Sequence, residues 1–432
     1  MSDNEVEVMY GHGSLAVRLP DGAEPVVIRK TALPVIADPE AAVLGAFARP
    51  IGAPPLAELA RGRSSACVVV CDVTRPVPNH LFLRPMIETM VAEGIPLDRI
   101  VILVANGMHR SGDAAELAGV IGDPWVVENV RVVNHDAHDH SQLADLGVTA
   151  TRGTPVSINR LLVDADLRIV TGLVEPHFMA GWSGGRKVVA PGVAGEDTIL
   201  TFHNASFMED AGATQCNLEG NPLHEEQLEI VRTLGELYAV NTVIDEARAL
   251  SFVSFGDVEA SHLAAVDFVK DYAIVEVPRR FHTIVTSSAG YPLDKTYYQT
   301  VKGMVTPMDI LEPGGTIIIA SACSEGMGSP AYRESQRRLI ELGPDGFLQA
   351  LLPKDRAAMD EWETEMQLKP MRLGKIVLFT EGMTEEERQI TGVELADSMD
   401  EAVAASIARS GDPVVAVVPE GPYVIPRFTP AA

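Results

Sequence analysis

The sequence predicts an α/β protein built as two α/β domains with mostly parallel sheets. Three observations carry that expectation. Short apolar runs such as Ala66–Cys71 and Leu167–Val174 read as buried strands. Helix-length amphipathic stretches separate them, which is the rhythm of a parallel sheet built from strand–helix–strand units. The chain's 432 residues exceed one compact core and suit two.

Composition narrows the function classes. The chain is 46% hydrophobic and 22% charged, ordinary for a globular enzyme. Its formal net charge of −26 argues against nucleic-acid or anionic-membrane binding, which need basic patches, but permits an anion bound in a locally basic pocket. The four cysteines (Cys67, Cys71, Cys216, Cys323) show no Cys-x-x-Cys spacing, and the first two fall within or at the end of a strand, so buried free thiols are expected. The N-terminus is polar and acidic, unlike a signal peptide. No apolar run reaches the roughly 18–20 residues of a membrane span. A reduced, cytoplasmic setting follows as the expectation.

Taken in order, residues 1–65 open with β-like segments at Val6–Tyr10 and Leu15–Leu19, a turn at Pro20-Asp-Gly22, and a Pro/Ala-rich approach. Strand Ala66–Cys71 runs into Asp72-Val-Thr-Arg-Pro76, followed by a helix over Leu81–Ala92 that Gly94 stops. Strand Arg99–Ala105 ends in Asn106-Gly-Met-His-Arg110. A helix over 113–120, a strand over 129–134 and a helix over 157–163 lead to strand 167–174. Residues 222–238 read as a helix, with strands near 239–243 and 251–255 and a helix over 258–270. The pattern breaks around Tyr272–Arg280, taken as the interdomain hinge. A second α/β domain over 281–409 has strands 282–287, 315–320 and 374–379 and helices near 332–341, 355–368 and 399–408. The strand from Pro413 to Val418 is expected to carry residues 410–432 back to the first domain, 1–272.

Three strands of the first half end in glycine- or proline-marked polar loops. Open parallel sheets gather ligands beyond the carboxyl ends of their strands, so Asp72/Arg75, His109/Arg110 and His177/Lys187 are expected on one rim. The third loop is the most informative: Glu175-Pro-His-Phe-Met-Ala-Gly-Trp-Ser-Gly-Gly-Arg-Lys187, continued to Thr201-Phe-His-Asn204. A strand, a glycine turn and then cations can present backbone N–H groups and charge to a phosphate, although no Walker A loop or Gly-x-Gly-x-x-Gly is present. Each residue also has a plainer reading. A single histidine is more often structural than catalytic, but His109 and His177 at two strand ends raise each other's standing as acid/base groups. Arg75, three positions after Asp72, is a salt-bridged loop residue or an arginine fork for a carboxylate or phosphate. Tyr298 and Lys302 share a helical face, beside Gln299, which suits an anion site or a surface helix. Trp362 is a core anchor or a pocket wall. The run His135-Asp-Ala-His-Asp-His140 looks metal-like, and a solvated loop explains it equally well.

Together, Asp72-x-Thr-Arg-Pro, Gly107-Met-His-Arg110, the long motif Glu175 to Lys187, His203-Asn204 and Gly290-Tyr-Pro-Leu-Asp with Tyr298-Gln-x-Val-Lys-Gly303 resemble the nickel-dependent lactate racemase family, in the same order from about residue 66 to Trp362. The resemblance implies that Lys187 carries a covalently attached nickel-pincer nucleotide (pyridinium-3-thioamide-5-thiocarboxylic acid mononucleotide). It implies that His203 is the protein's nickel ligand, the other donors being the cofactor's. His109 and His177 match the acid/base histidines. Arg75, Gln299 and Lys302 match groups that hold the substrate carboxylate, and Tyr298 and Trp362 match pocket residues. Asp72 lies in the first of these motifs and is grouped with the cofactor-binding residues. Chemistry rather than resemblance suggests that Ser183, Gly184, Gly185 and Arg186 surround the cofactor phosphate.

The expected activity is racemisation or epimerisation at C2 of a 2-hydroxy carboxylate, in an active site at the interdomain cleft. The C2–H is barely acidic, so removing it as hydride through a planar 2-keto acid is easier than direct deprotonation and requires an electron sink. A histidine on each side to move the hydroxyl proton, with one carboxylate clamp, suits such a symmetric reaction. Cofactor-building enzymes would be needed as partners. The alternative reading is a phosphate- or nucleotide-handling hydrolase or transferase using the 183–187 loop.

Overall fold

The structure, a computed structural model, describes residues 4–430. The chain forms two compact units. One comprises Ala32–Phe202 and Ala211–Asp271; the other comprises Met1–Thr31, His203–Asp210 and Tyr272–Ala432. They are called the first and second units below.

The first unit is built on a six-stranded sheet in the order Leu250–Asp257, Tyr238–Ile244, Leu167–Leu173, Ala66–Cys71, Ile100–Ala105, Arg131–Asn134. All neighbours are parallel except the first two, which form an antiparallel hairpin. The central strand, Ala-Cys-Val-Val-Val-Cys, is buried along its length apart from Cys71, as a strand covered on both faces must be. Val68 and Val70 pack against Phe82, Leu83, Met86 and Met90 of helix Asn79–Ala92. Helix Ala114–Ile121 is fixed at its ends by sequence-local chemistry. Asp113 and Glu116 form a capping box, and Gly122 closes the helix in the left-handed conformation at φ 69°. The expected helix over 157–163 is mostly strand: Pro155–Asn159 pairs with Leu143–Val148, and only Arg160–Val163 is helical, begun by the Asn159 side chain accepting from Leu161 N–H.

The second unit is a six-stranded, fully parallel sheet in the order Glu394–Ala396, Lys375–Phe379, Leu311–Ala320, Phe281–Ser287, Val414–Val418, Glu24–Val27. This corrects the expected domain boundaries. Val414–Val418 lies between Phe281–Ser287 and Glu24–Val27, so these early and late strands both belong to the second unit. The N-terminal hairpin Glu5–Tyr10/Gly13–Arg18 buries Val6, Val8 and Val17 against Val285, Ile318 and Val417. The pattern break at 272–280 contains a strand of this unit, Ile274–Val277, paired with Ile425–Phe428. Helix Pro330–Leu351 runs through a kink at Gly343, φ 69°, where Pro344 follows.

Cys67 and Cys323 are fully buried thiols, and among the described residues no helix is long and apolar enough to cross a membrane. Because Val414–Val418 has strand neighbours on both sides, a chain ending at Asp412 should fail to fold its second unit. Limited proteolysis should then leave the first unit and digest the second; a resistant second unit would contradict this topology.

Candidate functional site

The three loops picked out by the sequence leave the carboxyl ends of three neighbouring strands of the first unit: Leu167–Leu173, Ala66–Cys71 and Ile100–Ala105. They are tied to one another. The nearly buried Asp72 carboxylate accepts from Thr74 N–H at 3.1 Å and Thr74 Oγ1 at 2.5 Å through Oδ1, and holds His109 Nδ1 at 2.8 Å through Oδ2. Burial alone would raise the Asp72 pKa, but the His109 and Thr74 hydrogen bonds outweigh it and hold the carboxyl below its usual value. The His109 side chain remains 61% exposed. Arg75 is ion-paired with Glu175, a residue distant in sequence. Gly107, at φ 54°, donates its N–H to Gly192 O at 2.9 Å, tying the second loop to the third.

The third loop begins as a small hairpin, Pro176–His177 against Gly181–Trp182. His177 Nδ1 accepts from Met179 N–H at 3.4 Å and Ala180 N–H at 3.2 Å. Gly181 stands at φ 76°, and a Cβ there would lie 2.1 Å from Asn217 O. Lys187 follows in a short 3-10 turn, Gly185–Val188, half-buried, with its N–H on Gly184 O at 3.1 Å.

Asp72 and the four residues expected around a cofactor phosphate have other tasks. Asp72 orients His109. Ser183 Oγ donates to Leu173 O at 2.7 Å and receives Glu175 N–H at 3.0 Å. Gly185 N–H is taken by Asn241 Oδ1 at 2.9 Å. Gly184 is a glycine because the turn presses on its own strand: a Cβ there would meet Val174 at 2.6 Å. Arg186 points inward, 1% exposed, with Nη2 donating to Ala180 O at 2.9 Å and Trp182 O at 3.1 Å and Nη1 lying 3.1 Å from His262 Nε2. Burial lowers its pKa to about 9. The turn is thus held from beneath, with the Arg186 guanidinium buried inside the fold.

The second unit carries the remaining candidates. Helix Tyr297–Val305 is capped by Thr296, whose side chain accepts from Gln299 N–H. Lys302 Nζ donates to Gln299 Oε1 one turn back. Trp362, at the start of helix Glu361–Leu373, is only 8% exposed; its Nε1 donates to Tyr298 OH at 3.3 Å, and its ring centroid lies 4.8 Å from that of His203. Tyr298 stacks edge-on against Tyr332 at 5.0 Å, and burial pushes its phenol well above the ordinary range. Trp362 is therefore buried in contact with both Tyr298 and His203. The neighbouring Glu363, unremarked in the sequence, is buried, and desolvation raises its pKa to about 8 against the pull of Lys302.

Among the described residues no group of three or more His, Cys, Asp or Glu could hold a metal ion. The run 135–140 is not such a site: His135 is fully buried, its Nε2 within 2.9 Å of Ala194 O and its Nδ1 within 3.0 Å of Asn159 Nδ2. A metal at His203 would draw its other donors from a bound organic group, and a lone imidazole fits that division.

The depressed Asp72 pKa has a stability consequence. Its contribution is fully present above the usual carboxylate pKa of about 3.9 and is lost as pH falls through the lower folded value. Asp72→Asn should therefore lower stability by about 1–3 kcal/mol near neutrality, with the difference from the parent shrinking below about pH 4 in urea titrations. A difference independent of pH would contradict the ionised, hydrogen-bonded carboxylate.

Residues 10–215 match the lactate racemase N-terminal domain and residues 278–425 the lactate racemase C-terminal domain. A lactate racemase of Thermoanaerobacterium thermosaccharolyticum is 32% identical over 428 residues, covering 98% of this chain and 99% of that one. A lactate racemase of Lactiplantibacillus plantarum is 33% identical over 380 residues, 87% and 88% of the two chains. The structure of the Thermoanaerobacterium lactate racemase apoprotein superposes with a TM-score of 0.90 at 30% identity, over 98% of this chain and 100% of that one. With both domain models matched in order and relatives aligned nearly end to end, the chain belongs to the lactate racemase family.

Proposed function

We propose that the protein is a racemase or epimerase that inverts C2 of a 2-hydroxy carboxylate. The observation that carries this reading, beside family membership, is the convergence of His109, His177, Arg75 and Lys187 on three adjacent strand ends of the first unit. In this reading Lys187 anchors a nickel-pincer nucleotide covalently, and His203, against Trp362, supplies the protein's nickel ligand. When bound, that group supplies the electron sink that lets the C2 hydrogen leave with its electron pair.

The chain's own residues do the rest. Lys302, oriented by Gln299, and Arg75, steadied by Glu175, hold the substrate carboxylate. His109, oriented by Asp72, and His177, held by its hairpin, serve the substrate hydroxyl as it loses and regains its proton. Tyr298 and Trp362 form an apolar wall that limits water around the reacting carbon. The substrate is a lactate-like or larger 2-hydroxy acid or sugar acid, and the setting is cytoplasmic, beside the enzymes that build the cofactor. The phosphate-loop alternative loses support, because Ser183, Gly185 N–H and Arg186 are all engaged within the fold.

Proton NMR in D₂O tests the reading. Protein made together with the cofactor-building enzymes is given a panel of single-enantiomer 2-hydroxy acids. Inversion at C2 with the original hydrogen retained is expected; inversion with deuterium incorporated would rule out internal hydride transfer. Lys187→Ala should fold normally yet lose the covalent mass increment, and finding that increment retained would remove Lys187 as the anchor. His109→Ala and His177→Ala should each reduce turnover by roughly 100- to 10,000-fold in the same assay; near-normal turnover would remove that histidine from the mechanism.

A further inference from the structure

The two histidines are held by partners whose hydrogen-bonding roles cannot change. His109 Nδ1 lies 2.8 Å from Asp72 Oδ2, and an ionised carboxylate only accepts, so Nδ1 must carry a hydrogen. In neutral His109 the lone pair is therefore on Nε2. His177 Nδ1 faces the backbone N–H groups of Met179, at 3.4 Å, and Ala180, at 3.2 Å. Backbone N–H groups only donate, so this Nδ1 must be bare, and in neutral His177 the hydrogen is on Nε2.

We infer that the fold sets the two histidines in opposite tautomers, so that His109 meets the substrate hydroxyl as a proton acceptor while His177 meets it as an N–H donor. The kinetic half of this inference rests on the racemase reading above; the tautomers themselves do not.

The hairpin makes the second assignment firm. His177 and Ala180 are joined by a tight turn whose closing pair is His177↔Gly181, and Ala180 O is in turn gripped by the buried Arg186 guanidinium at 2.9 Å. The Ala180 peptide is thus fixed from both sides. A hydrogen placed on His177 Nδ1 would face the N–H dipoles of Met179 and Ala180. For His177 to act as the initial base, its ring would have to leave this seat or give up both backbone donors. His109 needs no such change, because the Asp72 carboxylate stabilises its Nδ1–H in both the neutral and the charged ring. The enantiomer at His109 donates its hydroxyl to a bare Nε2, whereas the enantiomer at His177 accepts from an Nε2–H, so the two bound enantiomers rest in unlike hydrogen-bonding environments. A neutral His177 that gave up its Nε2 hydrogen with Nδ1 bare would be left as imidazolate, so His177 must hold a second proton, out of its resting seat, whichever way the reaction runs. Enantiomers have equal free energies, so kcat/KM must be equal in the two directions. The asymmetry must then appear as different kcat values offset by KM values in the same ratio.

Two-bond ¹H–¹⁵N spectra of the full chain labelled with ¹⁵N-histidine, at mildly alkaline pH, read the tautomers directly, with His109→Gln and His177→Gln assigning the signals. The expected pattern is a protonated Nδ1 with bare Nε2 for His109 and the reverse for His177. The same tautomer at both positions, or His177 protonated on both nitrogens, would overturn the inference. Asp72→Asn should mix the tautomers of His109 and leave His177 unchanged; an unchanged His109 would overturn the role given to Asp72. With cofactor-loaded protein, unequal kcat for the two enantiomers of an inverted substrate is expected, and equal kcat would overturn the kinetic half. Loaded protein that inverts no hydroxy acid would overturn the racemase reading and with it the kinetic half, while the spectra still decide the tautomers.

Discussion

The first unit's site depends on a positive charge that water does not reach. Arg186 lies under the turn it helps to form, and its guanidinium joins the carbonyls of Ala180 and Trp182 to the His262 side chain. His262, buried and facing that charge, has its pKa held well below the ordinary imidazole range, first by burial and then by Arg186, so it stays neutral and does not add a second cation beneath the loop. Among the described residues no carboxylate is hydrogen-bonded to Arg186 and its Nε has no hydrogen-bond partner; carbonyl dipoles hold the charge. An arginine buried on these terms is costly, and it can persist only if the surrounding backbone is over-determined. The glycines provide that. Gly172 lets the strand touch the turn, since a Cβ there would lie 2.7 Å from Gly184 Cα. His177 and Lys187, on either side of the turn, inherit its rigidity.

Much of this was legible in the residues, and the failures follow a pattern. Ala66–Cys71 and the strand beginning at Leu167 were readable because a strand covered on both faces must be apolar throughout. The end of the chain was equally readable as a strand, but apolarity reports burial and not the sheet that provides it. Nothing local in Val414–Val418 says that Glu24–Val27 is its neighbour. The stretch 155–163 was misread because a polar strand edge and a helix start share its few residues, and Asn159, the cap, was the available signal.

Site residues behaved in the same way. The strand-end histidines stood out because loop position and chemistry coincide there. Arg186 was grouped with a phosphate site because its sequence neighbours are two glycines and a lysine, whereas its direction in the fold is decided by His262 and by the hairpin's carbonyls. Arg75 could be read as salt-bridged from its loop, but its carboxylate partner Glu175 and the His109 partner of Asp72 are set by the fold and not by proximity in sequence. Burial of His135 depends on Asn159 and Ala194, which no inspection of the run 135–140 could supply.

The allocation of the chain between its two units has a consequence for synthesis. The second unit takes Glu24–Val27 and the hairpin before it, which are made before the first unit, and also Val414–Val418, made after it. On the ribosome the early hairpin emerges with its apolar face, Val6, Val8 and Val17, long before Val285, Ile318 or Val417 exist to cover it. The first unit can close around Ala66–Cys71 once its last strand, Leu250–Asp257, is out, while a stretch committed to the other sheet waits at its head. The apolar face of this hairpin is therefore exposed to aggregation until synthesis has passed Val417.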